Sequence, residues 1–72
     1  MTLTIETPYI TLSAALKLAG LSQSGGEAKL LVAQGHVYVN GKTCTMRGKK
    51  LYPGDEMSLG DWCAQITAGT QP

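Results

Sequence analysis

Asn40 and Gly41 stand between two short segments, Val37-Tyr38-Val39 and Lys42-Thr43-Cys44-Thr45. Asn-Gly is the dipeptide that most readily takes the two positive φ angles of a type I′ turn, so these residues predict a tight β-hairpin. The chain before this point has a different period. Leu12, Ala15, Leu16 and Ala19 fall at i, i+3, i+4 and i+7, one apolar face of a helix that Thr11 can cap and Gly20 can end. Ser24 followed by Glu27 has the spacing of a capping box and opens a second helix, with Ala28, Leu31 and Val32 as its buried stripe, Lys29 off that stripe and Gly35 at its end. Two helices joined by so short a link are expected to pack against each other.

After the Asn-Gly turn, residues 46–50 have no apolar periodicity and read as a loop. Leu51-Tyr52 lead into the turn pair Pro53-Gly54, and Glu56 to Leu59 and Trp62 to Ile66 alternate on either side of Gly60-Asp61, a second hairpin signal. Thr2 to Ile5 alternate as well and predict a further strand at the N-terminus, ended near Pro8. The fold class is therefore α+β: two short packed helices followed by a small antiparallel sheet, with the N-terminal strand as an addition. A single domain is expected over 1–67, with 68–72 as a frayed polar tail. The chain has 72 residues and no Phe, so the core must come mostly from Leu, Ile, Val and Ala. A domain of this size hides only roughly 60–65% of its surface on folding, and its stability margin is thin.

Charge is divided along the chain. From Ala28 to Gly54 there is no Asp or Glu, and Lys29, Lys42, Arg47, Lys49 and Lys50 give that window +5; the remainder holds Lys17 against Glu6, Glu27, Asp55, Glu56 and Asp61. A one-signed basic segment built around a hairpin suits a polyanion, most often nucleic acid, although a basic turn can also be simply a solvated one. Two elements could place these charges. The start of the second helix presents unpaired N–H groups and the positive end of the helix dipole, and Gly25 and Gly26 would let a sugar–phosphate backbone approach Ser24, with Lys29 one turn on. The hairpin would project Lys42 near Asn40, and Arg47, Lys49 and Lys50 would populate the following loop. These cations are expected to converge into one electropositive patch beside that helix start. Tyr38 and Tyr52 could stack a base if exposed, but the alternation favours the core for one or both.

Catalysis has no comparable support. His36 is the only histidine and has no nucleophile placed by a recognisable motif; a cap or surface position suits it, with RNA contact as the functional alternative. Asp55-Glu56 follows Pro53-Gly54 and reads as a solvated strand entrance. Gly25-Gly26 lacks the spacing of a phosphate-binding P-loop. Cys44 and Cys63 are too few for a disulfide scaffold or a four-cysteine zinc site and are expected to be reduced and partly buried. No cofactor and no metal is implied. No apolar run reaches the roughly 20 residues of a membrane span, and the N-terminus lacks the features of a signal peptide, so a cytoplasmic protein without membrane contact is expected.

The run from Gly20 to Lys42, G-L-S-Q-S-G-G-E-A-K-L-L-V-A-Q-G-H-V-Y-V-N-G-K, followed by L-Y-P-G-D-E-M at Leu51 to Met57, resembles the S4 domain, the αL RNA-binding motif first described in a small-subunit ribosomal protein. The similarity extends from about Ile10 to Ile66 and is closest to the short stand-alone bacterial members. It implies two helices on a small sheet and a non-catalytic module for structured RNA, ribosomal or transfer RNA, with ribosomal particles as further partners and no small-molecule substrate. It carries over to Ser24 at the helix start, Lys29 after the alanine and Asn40-Gly41 at the turn. The chain departs from the family at Gly25, where many members have Arg; the Arg47 to Lys50 cluster is expected to compensate. The alternative is a protein-interaction module that docks through a sheet edge or the Trp62 region.

Overall fold

The Asn-Gly turn forms as its dihedrals require. In the computed structural model, which describes residues 2–69, Asn40 has φ 53° and Gly41 φ 84°, the paired positive angles of a type I′ turn. The chain runs β1 (Thr2–Ile5), β2 (Ile10–Thr11), α1 (Leu12–Leu18), α2 (Gly25–Ala33), β3 (Val37–Val39), β4 (Lys42–Thr43), β5 (Lys50–Leu51), β6 (Glu56–Leu59) and β7 (Trp62–Ala68). Five strands make one sheet in the order β1-β7-β6-β3-β4, and β2 pairs with β5 in a separate two-stranded ribbon.

Both helices are closed locally at each end. Thr11 Oγ1 accepts from Ala14 N in α1, and Ser24 Oγ accepts from Glu27 N at 3.2 Å in α2. At the other end of α1, Gly20 has φ 79°, its N–H donates to Lys17 O, and Leu21 N donates to Leu16 O. Gly35 (φ 78°) and His36 repeat the pattern on α2, donating to Val32 O and Leu31 O. These are two Schellman closures, and they need glycine because only it takes the left-handed conformation without strain. The capping box departs from its usual form: Glu27 Oε1 accepts from Gln23 N at 3.0 Å, one residue before the cap.

Leu12, Ala15 and Leu16 of α1 and Ala28 and Val32 of α2 share one core with Leu3, Ile5, Val37, Val39, Leu51, Met57, Ala64 and Ile66. Strand alternation selects those residues: in β3 the flanking valines are buried while Tyr38 between them is exposed. The α+β class holds, with four differences in detail. The sheet is mixed, because β1 lies parallel to β7, with Thr2 opposite Gln65 and Ile5 opposite Ala68. Lys50, expected at the end of the loop, forms a two-residue strand with Leu51; Leu51 is fully buried, and that single anchor is too short to show a period. Ala68 belongs to β7, and Gly69 N donates to Ile5 O at 2.7 Å, so these two residues are paired where a frayed tail was expected. The rest of that tail, 70–72, lies outside the described residues. Cys63 is exposed rather than partly buried, whereas Cys44 is half-buried with its Sγ donating to Met46 O at 3.6 Å.

Candidate nucleic-acid interface

The basic loop is held by the start of α1. The first residues of a helix carry N–H groups with no partner within the helix. In α1 two of them donate to the loop, Leu12 N to Lys49 O at 2.8 Å and Ser13 N to Arg47 O at 3.1 Å. A turn from Met46 O to Lys49 N at 3.0 Å closes the loop on itself. The next residue, Lys50, pairs with Thr11 across the β2–β5 ribbon. All three cation-bearing positions of the loop are thus fixed at the backbone, while the side chains of Arg47, Lys49 and Lys50 remain exposed. No acidic residue occupies the first turn of α1, so the positive end of its dipole adds to the same field.

Lys42 joins this loop from the hairpin. It lies on the edge strand β4, opposite Val39, and with Lys49 it lines an open groove of about 470 Å³ whose other walls include Asn40, Thr45 and Met46. A lysine on an edge strand also discourages strand pairing with another chain, so its position serves the fold as well. The edges of the sheet are β1 and the two-residue β4, and Trp62 is half-buried against the core.

The start of α2 is a separate feature. Gly35, at the C-terminal end of the helix, faces the hairpin: a Cβ built there would lie 3.7 Å from Thr43 Cγ2. A nine-residue helix is about 14 Å long, so Ser24, Gly25 and Gly26 stand at the end away from that contact, with Lys29 exposed between the two. The helix start that is hydrogen-bonded to the loop carrying Arg47 and Lys49 is that of α1. Around Gly25 the space is open, and a Cβ on Gly26 would meet only Ser24 Oγ at 3.9 Å.

Two of the candidate residues have structural duties. Asn40 Oδ1 accepts from Glu56 N at 2.9 Å, and Asn40 Nδ2 donates to Asp55 Oδ1 at 3.2 Å, which occupies both ends of the amide. Asp55 is accordingly half-buried and bonded rather than merely solvated, its Oδ2 accepting from Tyr52 N at 2.8 Å. His36 contributes its backbone to the end of α2 and keeps its side chain exposed. Tyr38 and Tyr52 are both exposed, at 41% and 49%, where alternation favoured the core for one or both. Tyr9, which had no motif to mark it, is exposed beside Tyr52 with Lys50 over its ring. Only the β2–β5 pairing brings these residues together, and no local signal in the sequence announces it.

Comparison with known proteins finds several similar sequences. A protein from Bacillus subtilis (strain 168), named a probable ribosome maturation protein, RlbA, is 44% identical over 57 residues, covering 79% of this chain and 80% of its own. YbcJ of Escherichia coli (strain K12), named as a candidate RNA-binding protein, is 36% identical over 61 residues, covering 85% and 87%. The small ribosomal subunit protein uS4 of Sphingopyxis alaskensis is 52% identical over 33 residues, which are 46% of this chain but 16% of that longer protein. The S4 domain model matches residues 3–67, nearly the whole described chain, and the protein belongs to the S4 domain family.

Proposed function

We propose that this protein is a non-catalytic module that binds structured RNA, ribosomal RNA first among the candidates, in the cytoplasm. The observation that carries the reading is the groove that Lys42 and Lys49 both line, with the backbone of Arg47 and Lys50 held by the start of α1 and by β2. Fixed backbone and free cationic side chains suit phosphate binding: little order is lost on contact, and condensed counterions are released. Lys29 and the open α2 start at Ser24, Gly25 and Gly26 extend the footprint, so that phosphates on two turns of a folded RNA could be met at once. Asn40 and Lys42 line the same groove, Asn40 acting through the position it gives the turn, and the exposed His36 precedes the hairpin. The relatives named for ribosome maturation and for the small ribosomal subunit support rRNA or a ribosomal particle over tRNA.

The test is a gel-shift or filter assay on a structured rRNA fragment with Lys29, Arg47, Lys49 and Lys50 changed together to Glu. All four are exposed, so circular dichroism should show the native fold while RNA retention is lost. A parallel set of Gln variants removes the charge without reversing it and should weaken binding less. Undiminished binding by both folded variants would overturn the site.

A further inference from the structure

The β2–β5 ribbon ends in an exposed aromatic cluster. Ile10 pairs with Leu51, so Tyr9 and Tyr52, one residue further out on each strand, stand across from one another. Their ring centroids are 5.8 Å apart with planes tilted by 49°. Lys50 Nζ lies 4.9 Å from the Tyr9 ring centroid, close enough for a cation–π contact. The inward partner Leu51 is fully buried, whereas Tyr9 and Tyr52 remain 38% and 49% exposed.

The backbone of Tyr52 is fixed on both sides. Tyr52 begins a turn in which Pro53 and Gly54 (φ 102°) take the central positions and Asp55 N donates to Tyr52 O at 2.9 Å. Its own N–H is bonded to Asp55 Oδ2. Both rings keep exposed surface, and Lys50 follows directly on Lys49, which lines the cationic groove. An aromatic face next to a line of phosphate-binding cations is the arrangement that captures an unpaired nucleobase, because every base has a π-face and its own phosphate reaches the neighbouring cation.

We infer that Tyr9, Tyr52 and Lys50 form a stacking platform for an unpaired base, so that the protein selects RNA whose helix adjoins a loop or bulge. This rests on the RNA-binding reading above and adds the part of the RNA that is recognised. The experiment compares two labelled RNAs by fluorescence anisotropy: a blunt-ended duplex, and the same duplex closed at one end by a loop of unpaired adenosines. The wild-type protein should bind the looped RNA about five- to a hundredfold more tightly than the duplex. Y9L/Y52L keeps apolar bulk without a π-face; it should bind the duplex as the wild type does and lose the preference. Y9F/Y52F should retain it. A preference that survives in a folded Y9L/Y52L, or equal binding of both RNAs by the wild type, overturns the platform while leaving RNA binding intact. Failure of the wild type to bind either RNA removes the RNA-binding reading and the platform with it.

Discussion

Asn40 Nδ2 donates to Asp55 Oδ1 at 3.2 Å, joining the tip of the β3–β4 hairpin to the turn that enters β6. The same amide accepts from Glu56 N through Oδ1, so one side chain satisfies two groups fifteen and sixteen residues away. Asn40 also carries a positive φ of 53°. Asparagine suits the site on both counts, since it tolerates the left-handed region and offers a donor and an acceptor.

Separating these two roles gives a stability prediction. Asn40→Gly keeps the backbone angle and loses two side-chain hydrogen bonds, at about 1–2 kcal/mol. Asn40→Ala loses the bonds and adds strain of about 1 kcal/mol. Urea denaturation should therefore rank wild type above Asn40→Gly above Asn40→Ala. An Asn40→Gly variant as stable as the wild type would show that the amide adds nothing.

Gly25 and Gly26 should show opposite effects on stability and binding. A methyl group meets open space at Gly25 and only the distant Ser24 Oγ at Gly26. Alanine at both positions reduces the freedom of the unfolded chain and should raise stability by up to about 1 kcal/mol. If a phosphate approaches this backbone, the same methyl groups should weaken RNA binding several-fold. Thermal unfolding and a binding titration on one double variant check both signs; a rise in stability with unchanged affinity would remove the α2 start from the footprint.

Leu51 links the core to the cationic surface. It is fully buried, and its strand carries Lys50 and leads into Tyr52. Leu51→Ala should cost about 2–5 kcal/mol. Small domains have about 5 kcal/mol in total, so the variant should be largely unfolded at 37 °C by circular dichroism. A stable, cooperative Leu51→Ala protein would mean that the ribbon is not anchored through this side chain.

What was legible in the sequence was local. The Asn40-Gly41 turn, the Gly20 and Gly35 helix ends and the Thr11 and Ser24 caps are set by dihedrals or hydrogen bonds within a few residues, and each formed as expected, whereas the bonds of the Asn40 side chain to Asp55 and Glu56 had no local sign. The parallel placement of β1 beside β7 joins opposite ends of the described chain, and no local pattern encodes it. The β2–β5 pairing is only two residues long on each side. For the site, exposure of the five basic residues followed from their type, but their anchoring did not. The hydrogen bonds from Leu12 and Ser13 to the carbonyls of Lys49 and Arg47 depend on a helix start more than thirty residues earlier in the chain. That contact is why the loop cations gather beside α1.

The most direct measurement is the salt dependence of RNA binding. If Lys29, Lys42, Arg47, Lys49 and Lys50 all engage phosphates, log affinity against log KCl should fall with a slope of roughly −3 to −4. Changing Arg47 and Lys49 to Gln should make that slope shallower by nearly one for each cation removed. A slope near zero for the wild type, with RNA still bound, would contradict an electrostatic interface. A steep slope left unchanged in the double variant would place the interface elsewhere on the molecule.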